Sequence, residues 1–216
     1  MGTRTIAWSF LTLLLVVGVA HPAETVRVIE WAKLREQGTE LPGEIETYGQ
    51  HPFGRLRVRN DGATAVTRDL LTLNNPPVTR PRWALVGKVR HENVEEKALL
   101  EMWSEIDGTP YFTRTQAESG PMAAFTGSSD WRTVILPFYS DPEDPPPETI
   151  ALNVQLLGKG TIWLSDLRLM QFGPDENPMT AALSPGAWWK QRQSGLIGAA
   201  LGALLGLLGA FLGILA

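Results

Sequence analysis

The final stretch of the chain, Gly195 to Ala216, is apolar throughout and carries six glycines on one helical stripe. At 100° per residue, Gly195, Gly198, Gly202, Gly206, Gly209 and Gly213 fall within about 80° of one another. A charge-free run of about 20 residues suits the hydrocarbon core of a bilayer, which needs roughly that length at 1.5 Å rise per residue. The spacings Gly198-xxx-Gly202-xxx-Gly206 and Gly209-xxx-Gly213 let two helix backbones approach closely in lipid. Residues 195–216 are therefore read as a transmembrane helix in the lipid bilayer. Gly198, Gly202, Gly206, Gly209 and Gly213 are its packing positions, suited to a second copy of the chain or another membrane protein. Two readings compete. A buried helix of a soluble fold is disfavoured, because each glycine weakens a helix in water by roughly 1 kcal/mol. A removable anchor signal would use Ser184, Gly186 and Ala187 as the small residues before a hydrophobic tail.

The opposite end has the three parts of a secretory signal. Arg4 supplies the positive start, Ile6 to Val19 the apolar centre, and Gly18-Val19-Ala20 a small-x-small cleavage site. Residues 1–20 are read as the signal, with an uncleaved N-terminal anchor as the competing reading. Both place the middle of the chain outside the cytoplasm, in the periplasm or at the cell surface. Trp188 and Trp189 fit an interfacial aromatic belt, whereas Lys190 and Arg192 run against the usual excess of positive charge inside.

Between these ends lie roughly 150 residues of domain, 21–172, and a proline-containing linker and interfacial segment, 173–194. That length supports one domain with its own core. A formal net charge of -4 and the lack of a run of basic residues argue against a nucleic-acid partner. The chain has no cysteine, so an exported domain must rest on its hydrophobic core.

From Thr25 to Phe172 the apolar residues alternate or occur in short runs broken by Gly, Pro, Asn and Asp, and no long segment keeps a 3.6-residue period. The strands expected are Val26–Trp31, Arg55–Asn60, Trp83–Val89, Ala98–Ile106, Tyr111–Thr115, Trp131–Phe138, Thr149–Leu157 and Thr161–Phe172. Glu30 to Gln37 is the one short helix expected. Asn60-Asp61-Gly62 and Asp107-Gly108 tolerate positive φ, and Gly158-Lys159-Gly160 reads as a tight hairpin joining the last two strands. Pro142 to Pro147 is a loop that cannot pair in a sheet centre. The expected fold is all-β, a two-sheet jelly-roll β-sandwich.

Five segments between Trp83 and Phe172 support that reading: GKVRHENV, ALLEMWSEIDG, YFTRT, SSDWRTVILPF and IALNVQLLGKGTIWLSDLRL. Together they resemble the galactose-binding-like, carbohydrate-binding-module-like jelly rolls, a superfamily that includes the complex I intermediate-associated domains. The most recognisable parts are Trp131 followed by Leu136-Pro137-Phe138, and the closing strand Gly160-Thr161-Ile162-Trp163-Leu164. The resemblance implies a fold rather than a ligand. It also implies that Trp131 and Trp163 are core residues.

Catalytic constellations are not found. The histidines are His21, His51 and His91, without the spacing of a zinc site. There is no Gly-x-Ser-x-Gly elbow and no phosphate-binding loop. Gly127-Ser128-Ser129 reads as a turn. No cofactor is expected, and Asn60, Asp61 and Asp107 lack a calcium-ligand spacing.

Binding chemistry is more promising. Alternation along Ala98–Ile106 puts Leu99, Glu101, Trp103 and Glu105 on one face. Glu101 and Glu105 would take sugar hydroxyls, with the Trp103 indole stacked on a pyranose. Their Cα atoms would be separated by about 13 Å, against roughly 5–9.5 Å between the carboxylates of a glycosidase, so binding is favoured over hydrolysis. Tyr111 is the second candidate aromatic. Arg114 and Arg132 are expected at the sandwich edge, bonded to a carboxylate such as Glu101 or Asp166. Asn153 and Gln155 mark a polar face on Thr149–Leu157. The reading is a non-catalytic, membrane-anchored, extracytoplasmic binding module for an envelope glycan or envelope protein. Its alternative is a structural or assembly protein that works through the glycine stripe.

Overall fold

A computed structural model describes residues 23–47 and 54–183. The signal segment, the 195–216 helix with its glycine stripe, Trp188, Trp189, His21 and His51 all lie outside the described residues. Among the described residues, no helix is long and apolar enough to cross a membrane.

One strand organises everything else. β5 (Arg82–Ile106) is 25 residues long and carries two hydrophobic runs, Trp83–Val89 and Ala98–Ile106, joined by the polar Arg90–Lys97. Those polar residues make the sequence read as two strands. The chain stays extended through them but bends, with Asn93 at φ 51° and register shifts on either side of Val94. Such irregularities kink a strand and increase its twist. Each half of β5 then supports its own layer.

The first half pairs with β9 (Gly160–Phe172) along one edge and with β7 (Phe125–Tyr139) along the other. β9 carries β3 (Arg55–Asn60) and β1 (Glu24–Val28) on its far edge, and β2 (Glu44–Glu46) lies beyond β3. The second half pairs with β8 (Thr149–Leu156) and β6 (Thr109–Arg114), and β4 (Val66–Asn74) lies outside β8. All of these strand pairings are antiparallel. The two layers are thus one continuous sheet curled over on itself through β5, rather than two separate sheets.

Between the layers sits one apolar core. β3 contributes Leu56 and Val58, β5 contributes Trp83, Leu85, Val89, Leu100 and Met102, and β8 and β9 contribute Leu152, Val154, Ile162, Leu164 and Leu169. Helix α1 (Trp31–Glu36) caps one end by burying Trp31 completely. It occupies the expected helical stretch, and the strand before it stops at Val28 rather than running into Trp31. Gly87 shows how tight the packing is. A Cβ there would lie 2.9 Å from Leu167 Cδ1, where β9 shifts register around Asp166 at φ 51°.

Other differences from the sequence reading have local causes. β4 is hidden in the sequence because a bulge between Asp69 and Leu71 places Leu70 and Leu71 side by side, and both are buried. Period-two alternation fails there. Gly158–Gly160 joins β8 to β9, but these strands do not pair with each other, and the turn passes from one layer to the other. It is held by Asn60 Nδ2 donating to Gly158 O (3.0 Å) and Glu95 N donating to Lys159 O (3.0 Å). Asp107 and Gly108, at φ 49° and 68°, close the β5–β6 hairpin as expected of a two-residue primed turn. Gly127 to Ser129 lies inside β7 rather than in a turn before it. The segment after Phe172 is only partly a linker. Asn177 caps a short helix α2 (Pro178–Ala181), which packs with Ala182 and Met179 onto Ala84, Val86, Ile135, Met170 and Phe172. These residues lie on the outer face of the first layer.

Candidate functional site

The outer face of the second layer gathers most of the residues the sequence singled out. Leu100, Met102, Ser104 and Ile106 point inward, leaving Glu101, Trp103 and Glu105 outward. Antiparallel register sets their neighbours. Arg114 lies opposite Glu101 on β6, and Phe112 lies opposite Trp103. Asn153 and Ala151 take the same rows on β8, and Gln155 sits opposite Leu99. Asp69 continues the Glu101–Asn153 row onto β4.

Tyr111 is not on this face. It lies opposite Ser104, points to the inward side at the sheet edge, and sets its ring 6.2 Å from Phe138. The aromatic partner of Trp103 is Phe112, with ring centroids 4.8 Å apart and planes inclined by 32°. Phe112 is 50% exposed, and the Arg114 guanidinium lies 5.5 Å from its ring centroid. Alternation along β6 puts Phe112 and Arg114 on one face. Only the strand register, set by the Asp107-Gly108 turn, brings that face against Trp103.

A fixed polar frame flanks the two rings. On one side the Glu101 carboxylate, only 3% exposed, accepts from Gln155 Nε2 at 3.0 Å and meets Arg114 Nη1 at 3.5 Å. Arg114 Nε donates to Gln116 Oε1 at 2.6 Å. Asn153, with its amide nitrogen turned toward Asp69, donates to Oδ1 at 3.2 Å. On the other side Thr149 Oγ1 donates to Glu105 Oε2 at 3.1 Å. Glu101 is thus spent within the frame, with a partner on each oxygen, whereas the partly exposed Glu105 is held in a set direction beside the aromatic pair.

Elsewhere the candidate residues serve the fold. Arg132, expected to bind a carboxylate, is held by backbone carbonyls instead. It donates to Gly120 O, Ala123 O and Ala124 O at 3.2, 2.6 and 3.3 Å, lies 4.4 Å over the Phe125 ring, and burial lowers its pKa. His91 is buried, with Nδ1 3.3 Å from Gly127 O. Burial lowers its pKa, the Gly127 carbonyl opposes this, and the Arg132 charge adds to the lowering. His91 lies opposite Ser129, but Ser129 Oγ donates to Asp130 O, so no nucleophile–base contact forms. Asn60 and Asp61 are engaged in the turn and with Arg59. Among the described residues, no cluster of three or more His, Asp or Glu side chains is placed to hold a metal ion.

Trp163 and Trp131 are not in the main core. Ile162 and Leu164 take the inward positions, which turns Trp163 to the outer face of the first layer. There it is 8% exposed because Arg57 and Arg90 lie over it at 5.8 and 4.9 Å. Trp131 is half-buried on the same face, with Arg55 at 4.9 Å.

No family model and no curated protein matches this chain. Solved structures similar to it include a family 16 carbohydrate-binding module, 9% identical over 60% of this chain and 85% of that one, with a TM-score of 0.40. A family 30 carbohydrate-binding module is 14% identical over 63% and 85%, with a TM-score of 0.42. The CBM22-1 xylan-binding domain from Paenibacillus barcinonensis Xyn10C is 11% identical over 60% and 81%, with a TM-score of 0.38.

Proposed function

We propose that the chain is a non-catalytic, membrane-tethered, extracytoplasmic binding module of the galactose-binding-like jelly-roll type. Its ligand is a neutral envelope glycan, held on the outer face of the second layer. The observation that carries this reading is the Trp103–Phe112 pair set between hydrogen-bonded carboxylates. A pyranose has an apolar C–H face and a polar rim of hydroxyls. Aromatic rings with a few placed polar groups complement both, the rings by contact and the partly exposed Glu105 carboxylate by accepting charge-assisted hydrogen bonds, while the buried Glu101 holds the frame.

The carboxylates have structural partners, and neither is placed against a nucleophile or a second acid, which supports binding rather than turnover. An extended, half-exposed sheet face suits a chain of sugars better than a small metabolite. The tether follows from the apolar residues 195–216 and the signal-like residues 1–20. The experiment is a glycan array probed with the full chain in lipid nanodiscs, alongside Phe112→Ala and Trp103→Ala. Saturable binding to one glycan class, weakened by both substitutions, supports the reading. Binding to no glycan by a folded chain overturns it.

A further inference from the structure

We infer that the outer face of the first layer is the membrane-facing surface of the domain and docks on anionic lipid headgroups, so that the Trp103 platform points away from the bilayer. This rests on the tethered reading above and adds an orientation to it.

Both described ends of the domain converge on that face. Ala23 packs in the same cluster as Met170, Phe172 and the α2 residues Met179 and Ala181. Its N–H donates to Glu176 Oε1 at 3.1 Å, while Glu176 Oε2 accepts from Gly173 N at 2.9 Å. The chain therefore leads toward its 195–216 apolar run from this patch. Residues 184–194 separate the last described residue from the 195–216 run. At about 3.3–3.6 Å per extended residue, that connection reaches roughly 40 Å at most, which keeps the domain near the bilayer surface.

The chemistry of the face fits what it would meet. On β3, Leu56 and Val58 enter the core, which turns Arg55, Arg57 and Arg59 outward. Across the neighbouring strands lie Trp163, Lys88, Arg90, Arg168 and the half-buried Trp131, alternating with core positions. Carboxylates are present but fewer. Glu44 and Glu46 meet Arg57, Glu92 meets Arg90, and Asp61 meets Arg59. The opposite face, with Glu101, Glu105 and Asp69 against Arg114, has the reverse balance. In a chain with a formal net charge of -4, this asymmetry matters. An anionic leaflet attracts juxtamembrane basic groups within about a Debye length and repels acidic ones. Stacked indole and guanidinium groups also suit the headgroup region.

The chain has no cysteine, so a single introduced thiol reports one position. The experiment places a spin label at Thr133→Cys or Thr161→Cys on the first-layer face, and at Thr67→Cys on the second. The full chain is reconstituted in nanodiscs of phosphatidylcholine with phosphatidylglycerol, containing a gadolinium-chelating lipid. Relaxation at residues 133 and 161 is expected to exceed that at residue 67 several-fold. The difference should shrink in phosphatidylcholine alone and in a Lys88→Gln/Arg168→Gln chain. Equal or reversed relaxation in chains that do incorporate overturns the orientation, and an asymmetry unchanged without phosphatidylglycerol overturns the role of charged lipid. A chain that fails to co-migrate with nanodiscs overturns the tethered reading itself.

Discussion

Glu101 is the clearest place to test whether the polar frame is built as described. Its carboxylate is nearly sealed from solvent, and two partners compete to be the one that matters. Gln155 Nε2 approaches to 3.0 Å, a full-strength distance for a donor to a charged acceptor, worth about 1.5 kcal/mol. Arg114 Nη1 stands at 3.5 Å, its side chain is 38% exposed, and its Nε is committed to Gln116. With the guanidinium partly in water and the contact long, the pair contributes about 0.5 kcal/mol even though the carboxylate is buried. Glu101→Ala should therefore cost about 2–3 kcal/mol, the larger part through the stranded amide of Gln155 and the lost packing. Double-mutant cycles by urea unfolding separate the two partners. The Glu101–Gln155 coupling should be about 1–1.5 kcal/mol and the Glu101–Arg114 coupling several-fold smaller. A larger Arg114 coupling would mean that an ion pair, not the amide, fixes the carboxylate, and the reasoning would fail.

Three further outcomes are expected. Arg132→Met removes three carbonyl contacts from the 116–124 segment, and should cost about 2–3 kcal/mol and speed amide exchange there, with Arg132→Lys a poor rescue. Gly87→Ala should cost about 1–3 kcal/mol by overpacking, since its Cβ would meet Leu167 Cδ1 at 2.9 Å and Ser165 O at 3.2 Å; an unchanged urea midpoint would show that β9 can yield. For His91 the lowered pKa means the unfolded chain takes up the proton first. Stability from this residue is complete above the unfolded pKa of about 6.5 and falls as pH drops below it. His91→Gln should flatten that part of the stability–pH curve, and a slope unchanged by the substitution would refute the assignment.

The sequence made the strands visible wherever alternation was clean. Leu100, Met102 and Ile106 against Glu101, Trp103 and Glu105 gave both the core and the candidate face of β5. It failed where the sheet is irregular. The bulge that sets Leu70 beside Leu71 hid β4, and the polar bend around Asn93 split one strand into two. Partner strands were harder still. Gly158–Gly160 has the composition of a hairpin, but its two strands pair with different halves of β5, a choice made by packing between layers. Phe112 was missed as the partner of Trp103 because register is a tertiary fact, and Tyr111, one position away, has the more obvious chemistry for a sugar. The Arg55-x-Arg57-x-Arg59 alternation was a readable signal. Its meaning emerged only when Trp163, Lys88 and Arg90 came alongside, since no basic run exists in the sequence itself.

If the two outer faces do different work, titration calorimetry separates them. A neutral oligosaccharide from the class found on the array is titrated into the full chain, into Trp103→Ala and into Trp131→Ala. Loss of a stacking anchor at the centre of a binding face costs about 2 kcal/mol or more, roughly 30-fold in affinity. That loss is expected for Trp103→Ala, and an unchanged affinity for Trp131→Ala. Undiminished binding by Trp103→Ala, or a loss confined to Trp131→Ala, would contradict that division.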